Sequence, residues 1–482
     1  MSNQIEFSSP HRKRLVALYT LGLLYPFMQS LLYSIGFPHS EDFFVALQPF
    51  WMTAMGGIVC GLFFQQPEER QKISVTMWLL VAATAWMFLR ILGDRYLFYE
   101  HDPQHIWGRA IIAWFFYYPV GRLLTRQELR RTVGWIAGFW VASMVFLGVL
   151  GIVASVGRFL LYTRGDATNI GIQQDGRLAM GYYCVLTAQN LVLACSLALF
   201  LMFTFRKRWV WALCGVSLAV LFVAVGLTDG TNAMLTIGLL FGLAVFVLVT
   251  ERVCPRTWKG IAIGAAAALA VFFLSYSLNT RVIGWLGASP TREIHLDNWQ
   301  TSAQMVSVEH DALRGIRLSA PAVPEGADQP DEDLSHREID ATMHGRTQIW
   351  KRTLEALLTN EQNALLIGAT PLGFQDLIQP RDFSYHVNVV HNMYLQVVLE
   401  WGLPGLVIMA LFLALFAICA FRLLFGEGIP VWERFLPCMA LAFLFSELAD
   451  SFCDLNAVTV SLYLMFLFLG MTIGVDYHER NP

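Results

Sequence analysis

Runs of apolar residues long enough to cross a lipid bilayer recur along most of this chain of 482 residues. An α-helix needs about 20 apolar residues to span the hydrocarbon core, because each residue advances the helix by only about 1.5 Å. Lipid offers the backbone no hydrogen-bond partners, so such runs fold as helices or closed barrels. Only 14% of the residues are charged and the mean hydropathy is +0.51, whereas a soluble domain carries about 25% charged residues. We therefore predict an all-α polytopic membrane protein.

The lengths of these runs predict about twelve transmembrane helices. The first run, from Leu15 to Phe37, is long enough to span and has no small-residue cleavage site, so we expect it to remain as a membrane helix. The predicted spans are 15–36, 43–64, 73–92, 107–124, 134–157, 184–204, 209–228, 233–250, 260–279, 403–425, 435–450 and 456–475.

Basic residues are distributed unequally between the two sets of short connections. One set holds only Arg95, Arg158, Arg164 and Arg177, while the other holds most of the arginines and lysines. Cytoplasmic loops carry the excess of positive charge, so both termini are predicted to be cytoplasmic. The basic set comprises Arg12, Lys13, Arg14, Arg70, Lys72, Arg122, Arg126, Arg130, Arg131, Arg206, Lys207, Arg208, Arg252, Arg256, Lys259, Arg422, Arg434 and Arg480.

This orientation places one long polar connection on the outer face. The chain then divides into a membrane domain at 1–279, an outer loop at 280–402 and C-terminal membrane helices at 403–482. Within the loop, the stretch from Ala320 to Asp340 is rich in proline and acidic residues and is typical of a solvated linker. Apolar residues then recur at helical spacing, which predicts a short amphipathic helix over 347–359.

Composition also excludes several classes of function. The net charge of -3 does not suggest nucleic-acid binding, and the 8 cysteines are scattered singly without a CxxC pair, so neither a disulfide framework nor a zinc site is expected. Asp331-Glu332-Asp333 has the D-x-D form of metal-dependent sugar transferases. It lies in the acidic linker, which favours a solvated segment over a metal site. We expect no metal ion and no cofactor.

Arginines on the outer face are the first candidates for ligand binding. Arg158, Arg164 and Arg177 share one short loop against the orientation rule, which indicates an anionic ligand, although lipid headgroups or acidic loop residues would also account for them. Arg90 and Arg109 lie near the outer ends of their helices. They either face a polar cavity or extend to the headgroups.

The second group of candidates lies around the outer loop. Arg346 starts the predicted amphipathic helix, and His391-Asn392 with Tyr394 precede a Gly-Leu-Pro-Gly turn at 402–405. A histidine there can move or orient a proton near neutral pH, or simply cap a helix; His344 and His386 are alternatives. Asp450 and Asp454 flank the last outer turn, where they orient an arginine or histidine or lie in water.

These motifs together resemble the signature region of the O-antigen ligase and polymerase superfamily. The resemblance runs from Gly345 to about Phe421, and Thr228–Asn232 departs from it by lacking the serine-arginine pair of many members. The matching residues are Gly345-Arg346, Ile349-Trp350-Lys351, Gly368, Gly373-Phe374, His391-Asn392, Tyr394-Leu395-Gln396 and Glu400 to Leu406, with Arg177, Gly181 and Asn190 upstream.

The resemblance implies a glycosyltransferase in the bacterial cytoplasmic membrane that serves polysaccharide biosynthesis in the cell envelope. It would transfer a glycan from undecaprenyl diphosphate to an acceptor hydroxyl on a glycan or lipid-glycan, with inversion and without a metal. Arg177 and Arg346 would hold the diphosphate and His391 would act on the acceptor. The remaining expected substrate-binding residues are Arg158, Arg164, Arg109, Arg90, Asn392, Tyr394 and Asp450.

Two other classes of protein remain open at this point. A twelve-helix transporter or flippase for a lipid-linked glycan would share the helix count, but only Arg206-Lys207-Arg208 joins the sixth and seventh predicted helices and no repeat relates the two halves. A non-catalytic scaffold would leave Arg346 and His391 without a role. Within the transferase class, polymerase is weakly favoured over ligase because the loop shows no anchor-binding module.

Overall fold

The computed structural model describes most of the chain, with gaps mainly in the loops. The described residues are 10–37, 40–67, 71–92, 108–163, 168–173, 176–182, 184–205, 207–252, 257–287, 290–295, 346–369, 377, 390–449 and 460–480. The linker at 320–340 therefore lies outside the described residues, as do Asp331 and Asp333.

The described residues are mostly helical, which confirms the helical membrane class. Nine of their helices are long and apolar enough to cross a membrane. The helices are α1 (Pro10–Ser34), α2 (Ser40–Phe64), α3 (Val75–Leu92), α4 (Val120–Leu123), α5 (Arg126–Gly157), α6 (Cys184–Thr204), α7 (Arg208–Leu227), α8 (Thr231–Arg252), α9 (Trp258–Leu286), α10 (Arg346–Leu358), α11 (Ala364–Ile367), α12 (Met393–Phe425), α13 (Val431–Ser446) and α14 (Val460–Arg480).

Three of the predicted spans are shorter or interrupted helices. The spans at 73–92 and 435–450 correspond to α3 and α13, of 18 and 16 residues. The span at 107–124 is a π-helix from Ile112 to Tyr117 followed by Pro119 and the short α4. A wide π turn shifts the register of a helix. The segment also packs closely on α14, because a Cβ on Gly474 would lie 2.3 Å from the Gly121 carbonyl carbon.

Ion pairs join the helix ends that carry the basic connections. Arg12 bonds to Glu128 at 2.8 Å, which ties the start of α1 to the start of α5. Arg434 reaches Glu251 at 3.1 Å, which ties the start of α13 to the end of α8. Because one partner of each pair is almost fully buried, each bond offsets the cost of removing a charge from water. We call this end of the helices the basic end and the opposite end the site end.

A small four-stranded sheet at the site end adds to the predicted helical fold. The strands are β1 (Phe159–Tyr162), β2 (Asn169–Ile172), β3 (Leu178–Met180) and β4 (Arg292–His295), in the order β3-β2-β1-β4. β1 to β3 are antiparallel, and β4 joins β1 in parallel. Strands of three or four residues are too short to show an alternating pattern, and β4 comes from the start of the predicted loop at 280–402.

The sheet packs on the end of α1 through glycines with positive φ. Gly36 has φ 69° and Gly181 has φ 80°. A Cβ on Gly181 would lie 2.3 Å from Ser34 Cα, so a larger residue there would push the sheet away. Tyr182 follows at once, and its hydroxyl lies 2.9 Å from Ser30 Oγ. Burial raises the pKa of Tyr182 to about 12, so the phenol stays neutral and serves as an anchor.

The loop predictions around α10 and α12 are partly confirmed. α10 spans Arg346–Leu358, close to the predicted helix at 347–359. α12 begins at Met393, ten residues before the predicted span at 403–425, but Gly402 breaks it with φ 65° and ψ -159°. Pro404 thus lies in the first turn of the second part, where a missing amide hydrogen costs little.

We expect Gly402→Ala to destabilise the protein. A Cβ on Gly402 would lie 2.5 Å from Gly368 N, and a non-glycine residue with this backbone adds strain of about 1–3 kcal/mol. Thermal unfolding of the purified protein in detergent measures the loss. Gly215→Ala is the control, because nothing lies within 4 Å of its Cβ. Equal stability of both variants would contradict the proposed crowding.

Candidate functional site

The segment that contains His391 is bonded to the end of α13. Asn392 Nδ2 donates to the Leu448 carbonyl at 2.8 Å, and Met393 N donates to the Glu447 carbonyl at 3.0 Å. The Tyr394 hydroxyl donates to the Leu444 carbonyl at 2.8 Å. Three consecutive residues therefore bond to carbonyls of the last turn of α13 and of the two residues after it, which fixes the position of His391 just before them.

His391 itself has a left-handed backbone conformation, with φ 54°. Non-glycine residues adopt this conformation uncommonly, and it persists only where surrounding contacts hold it. The contact on its C-terminal side is the cap of α12, where Asn392 Oδ1 accepts from Leu395 N at 3.0 Å. Both polar atoms of the Asn392 amide thus bond to main chain, which indicates that Asn392 positions His391.

On the N-terminal side, α10 contacts the residue before His391. Trp350 Nε1 donates to the Val390 carbonyl at 3.0 Å. Arg346 precedes Trp350 by four residues on α10, so both side chains lie on the same face of that helix. The indole bond therefore places Arg346 one helical turn from the His391 segment. These two predicted site residues are brought to one junction.

A buried polar pair continues this junction into α12. Gln396 Oε1 accepts from Val390 N at 2.7 Å, and Gln396 Nε2 donates to the Glu400 carboxylate. Both side chains are only 2% exposed. Since unsatisfied polar groups are costly in such surroundings, these bonds fix the backbone at Val390.

Arg177 lies on the hairpin between β2 and β3 and contacts the start of α6. Its Nη1 lies 3.8 Å from Cys184 Sγ in the first turn of α6. Five residues further along α6, Gln189 Nε2 lies 3.4 Å from Ser446 Oγ. Five residues of helix advance about 7.5 Å, so Arg177 contacts α6 about 7.5 Å along the helix from the residue that contacts the end of α13.

The turn at 228–232 also contacts the end of α13. Asn232 Nδ2 donates to the Ser446 carbonyl at 2.8 Å, and Asp229 in this turn has φ 50°. The turn is where the expected arginine of the family is absent. Three chain segments thus converge on residues 444–448, and we call this convergence the α13 hub.

An apolar cavity of about 160 Å³ lies below the His391 segment. Its lining comes from α3, α12 and α14 together with Trp114, while Gln396 and Glu400 supply polar atoms. Such a cavity suits a hydrocarbon chain whose polar end lies at the junction of α10 and α12. The lining residues nearest that junction are Met393, Val397 and Trp401.

The other predicted arginines lie elsewhere around the site end. Arg90 Nη2 donates to the Gly368 carbonyl at 2.7 Å, beside the break in α12. Arg109 interacts electrostatically with Tyr463 of α14. Arg158 ends α5 with φ 52° and joins the sheet through its carbonyl, which accepts from Thr291 N at 2.9 Å. The predicted Arg164, Asp450, His344, His386 and Asp454 lie outside the described residues.

Several residues of the α13 hub were not among the predicted site residues. Glu447 and Ser446 are fully buried, and Gln189 is 1% exposed. Polar residues inside apolar runs are expensive in a membrane and therefore signal a special role, which is the signal that would have identified them. In the described part of the chain, no group of three or more His, Cys, Asp or Glu residues is arranged to hold a metal ion.

Comparison with known families finds a match over part of the chain. Residues 216–410 match the family model described as O-antigen ligase. The fold and the match define a multi-pass membrane protein of the glycosyl-transfer type. This match supports the resemblance to the O-antigen ligase and polymerase superfamily that the sequence motifs predicted. The comparison with curated proteins gives no match.

We expect Trp350→Phe to lower glycan transfer without unfolding the protein. Phenylalanine keeps an aromatic ring but loses the bond to the Val390 carbonyl, so Arg346 and His391 are held less firmly. A misplacement of about 1 Å can cost a factor of about 100 in rate. Transfer rates in membranes measure the effect.

Trp135→Phe is the matched control, because Trp135 lies on α5 and is 70% exposed. Unchanged transfer by Trp350→Phe, or an equal loss in both variants, would contradict a positioning role.

Proposed function

We propose that this protein transfers a glycan from an undecaprenyl-diphosphate carrier to an acceptor hydroxyl, with inversion and without a metal, at the outer face of the bacterial cytoplasmic membrane. One observation carries the proposal: Trp350 joins the helix of Arg346 to the segment of His391. The apolar cavity below this junction and the approach of α6 with Arg177 support it.

The reaction forms one bond and breaks one bond. The acceptor oxygen attacks C1 of the donor sugar, and the bond between C1 and the phosphate oxygen breaks with its electron pair on the diphosphate. The hydroxyl proton passes to His391, which would act as the general base. Attack from the side opposite the leaving group inverts the configuration at C1.

Charge stabilisation is the larger demand on the protein. A diphosphate leaves readily, but negative charge develops on it as the C1 bond breaks. One guanidinium about 4 Å from a phosphate oxygen supplies roughly 4 kcal/mol of Coulomb attraction at an effective dielectric near 20, before desolvation. Arg346 and Arg177 together would therefore perform the role that a divalent cation performs in metal-dependent transferases.

The acceptor determines whether the enzyme is a polymerase or a ligase. A second lipid-linked repeat unit would make it a polymerase, and a lipid or protein anchor would make it a ligase. We favour the polymerase, because the sequence of the outer loop contains no module of its own for an anchor. In place of the family's missing arginine, Asn232 bonds to the α13 hub, so Arg158, Arg164 or Arg177 would complete the diphosphate site.

We expect Arg346→Ala to lower transfer at least 100-fold, because removing one preorganised donor to a developing charge costs about 10²–10³ in rate. His391→Ala should cost less than Arg346→Ala. Both rates are measured in membranes at equal protein levels.

The matched control is Arg352→Ala on the same helix, where Arg352 lies 3.7 Å from Glu355 and is 43% exposed. Normal transfer by Arg346→Ala would end the proposed role of this arginine.

Reconstitution tests the reaction class. Purified protein with lipid-diphosphate repeat units should give a ladder of longer glycans if it is a polymerase. A single shifted acceptor, with the anchor supplied, would instead identify a ligase. Absence of both products favours a transporter. The same assay in excess EDTA should retain full activity, because the proposed site uses arginines. Loss of activity in EDTA would contradict the metal-free mechanism.

A further inference from the structure

The basic end contains a second cavity, distinct from the cavity at the candidate site. Its volume is about 480 Å³, and its walls come from α2, α3, α12, α14 and the π-helix segment. Most of the lining is apolar, including Val81, Phe115, Leu415 and Ile473. Val75, also in the lining, is 66% exposed, so the cavity opens on the apolar surface of the helices.

A guanidinium and several hydroxyls lie at the mouth of this cavity. Arg122 donates to the Lys72 carbonyl and lies over the Tyr477 ring, with 4.8 Å between Cζ and the ring centroid. Ser74 and Thr76 belong to the same lining, with 3.1 Å between their hydroxyl oxygens. Positive charge thus lies beside polar hydrogen-bonding groups at one end of an apolar space.

Close helix packing fixes the position of Arg122. A Cβ on Gly474 would lie 2.5 Å from the Gly121 carbonyl oxygen, and a Cβ on Gly121 would lie 2.3 Å from the Gly470 oxygen. Such glycine contacts let two helices approach closely. They bring Arg122, the residue after Gly121, against Tyr477 of α14, so its charge stays at the cavity mouth.

The electrostatic field at the mouth of this cavity favours binding of an anion. α3, of 18 residues, begins beside Ser74, and the start of a helix carries partial positive charge. Lys72 is exposed on the same connection. The nearest acid on α14 among the described residues of this end, Asp476, pairs with Arg422 at 3.5 Å, which offsets its charge. His478 is bonded to the Gly121 carbonyl at 3.0 Å.

We propose that this cavity binds an anionic glycerophospholipid of the inner leaflet, with an acyl chain between the helices and the phosphate at Arg122. Basic pockets between membrane helices on the cytoplasmic side bind anionic headgroups in this way. The basic connections predict that this end is cytoplasmic, so the lipid would be structural and separate from the transfer reaction at the site end.

Lipid-dependent stability tests the proposal. Purified protein in a neutral detergent is titrated with phosphatidylglycerol or with phosphatidylcholine of the same acyl chains, and the melting temperature is followed. Phosphatidylglycerol should stabilise the protein at lower concentration than phosphatidylcholine. Arg122→Gln should weaken the phosphatidylglycerol effect about fivefold, the contribution of one basic residue at a membrane surface.

The control variant is Arg131→Gln, an exposed arginine of the same end that does not line the cavity. It should retain the preference for phosphatidylglycerol. Val81→Trp keeps Arg122 but fills the cavity, so it should also weaken binding, and it covers the case in which Arg122→Gln does not fold.

Three results would overturn the proposal. Equal stabilisation by the two lipids would exclude recognition of charge. An equal loss in Arg131→Gln would show that general surface charge is responsible. Stabilisation by glycerol phosphate alone to the same extent would identify a site for a small anion rather than for a lipid.

Discussion

The carbonyl groups at the end of α13 are the constraint on which the candidate site depends. The last carbonyls of a helix have no partner within the helix, and in apolar surroundings each unsatisfied group costs about 1–3 kcal/mol. Here the carbonyls of Leu444, Ser446, Glu447 and Leu448 accept hydrogen bonds from other segments. The hydrogen bonds that satisfy these carbonyls therefore hold the residues around His391 in place. A site built on this end is held by backbone groups that no substitution removes.

This interpretation suggests a positioning role for three predicted substrate-binding residues. The bonds described for Asn392 and Tyr394 run to main-chain atoms, with Asn392 capping α12. We therefore infer that they hold the backbone of His391 in its left-handed conformation. Arg90 acts similarly at the break in α12, where it bonds to Gly368. Residues that a family motif marks as functional thus include some that act through the main chain.

The sequence predicted the features that depend on local patterns. Apolar runs located the membrane helices, helical spacing located α10 within one residue at each end, and the Gly-Leu-Pro-Gly stretch located the break at Gly402. It did not predict the sheet, because β1 and β4 are separated by about 130 residues and each has only four. It also missed the α13 hub, whose contacts join residues such as Gln189 and Ser446 across 257 positions. Side chains that pair over such distances leave no periodic signal in the chain.

The arginines at the two ends of the helix bundle are held by different kinds of contact. At the basic end, Arg12 and Arg434 are neutralised by fixed carboxylates, in the pairs with Glu128 and Glu251, whereas Arg122 bonds to a backbone carbonyl. At the site end, Arg346 lies in the first turn of α10, and the contact that fixes its helix is the neutral indole of Trp350. The contact that positions this helix thus joins a neutral side chain to a backbone carbonyl, and the proposed ligand of Arg346 is the diphosphate of a lipid.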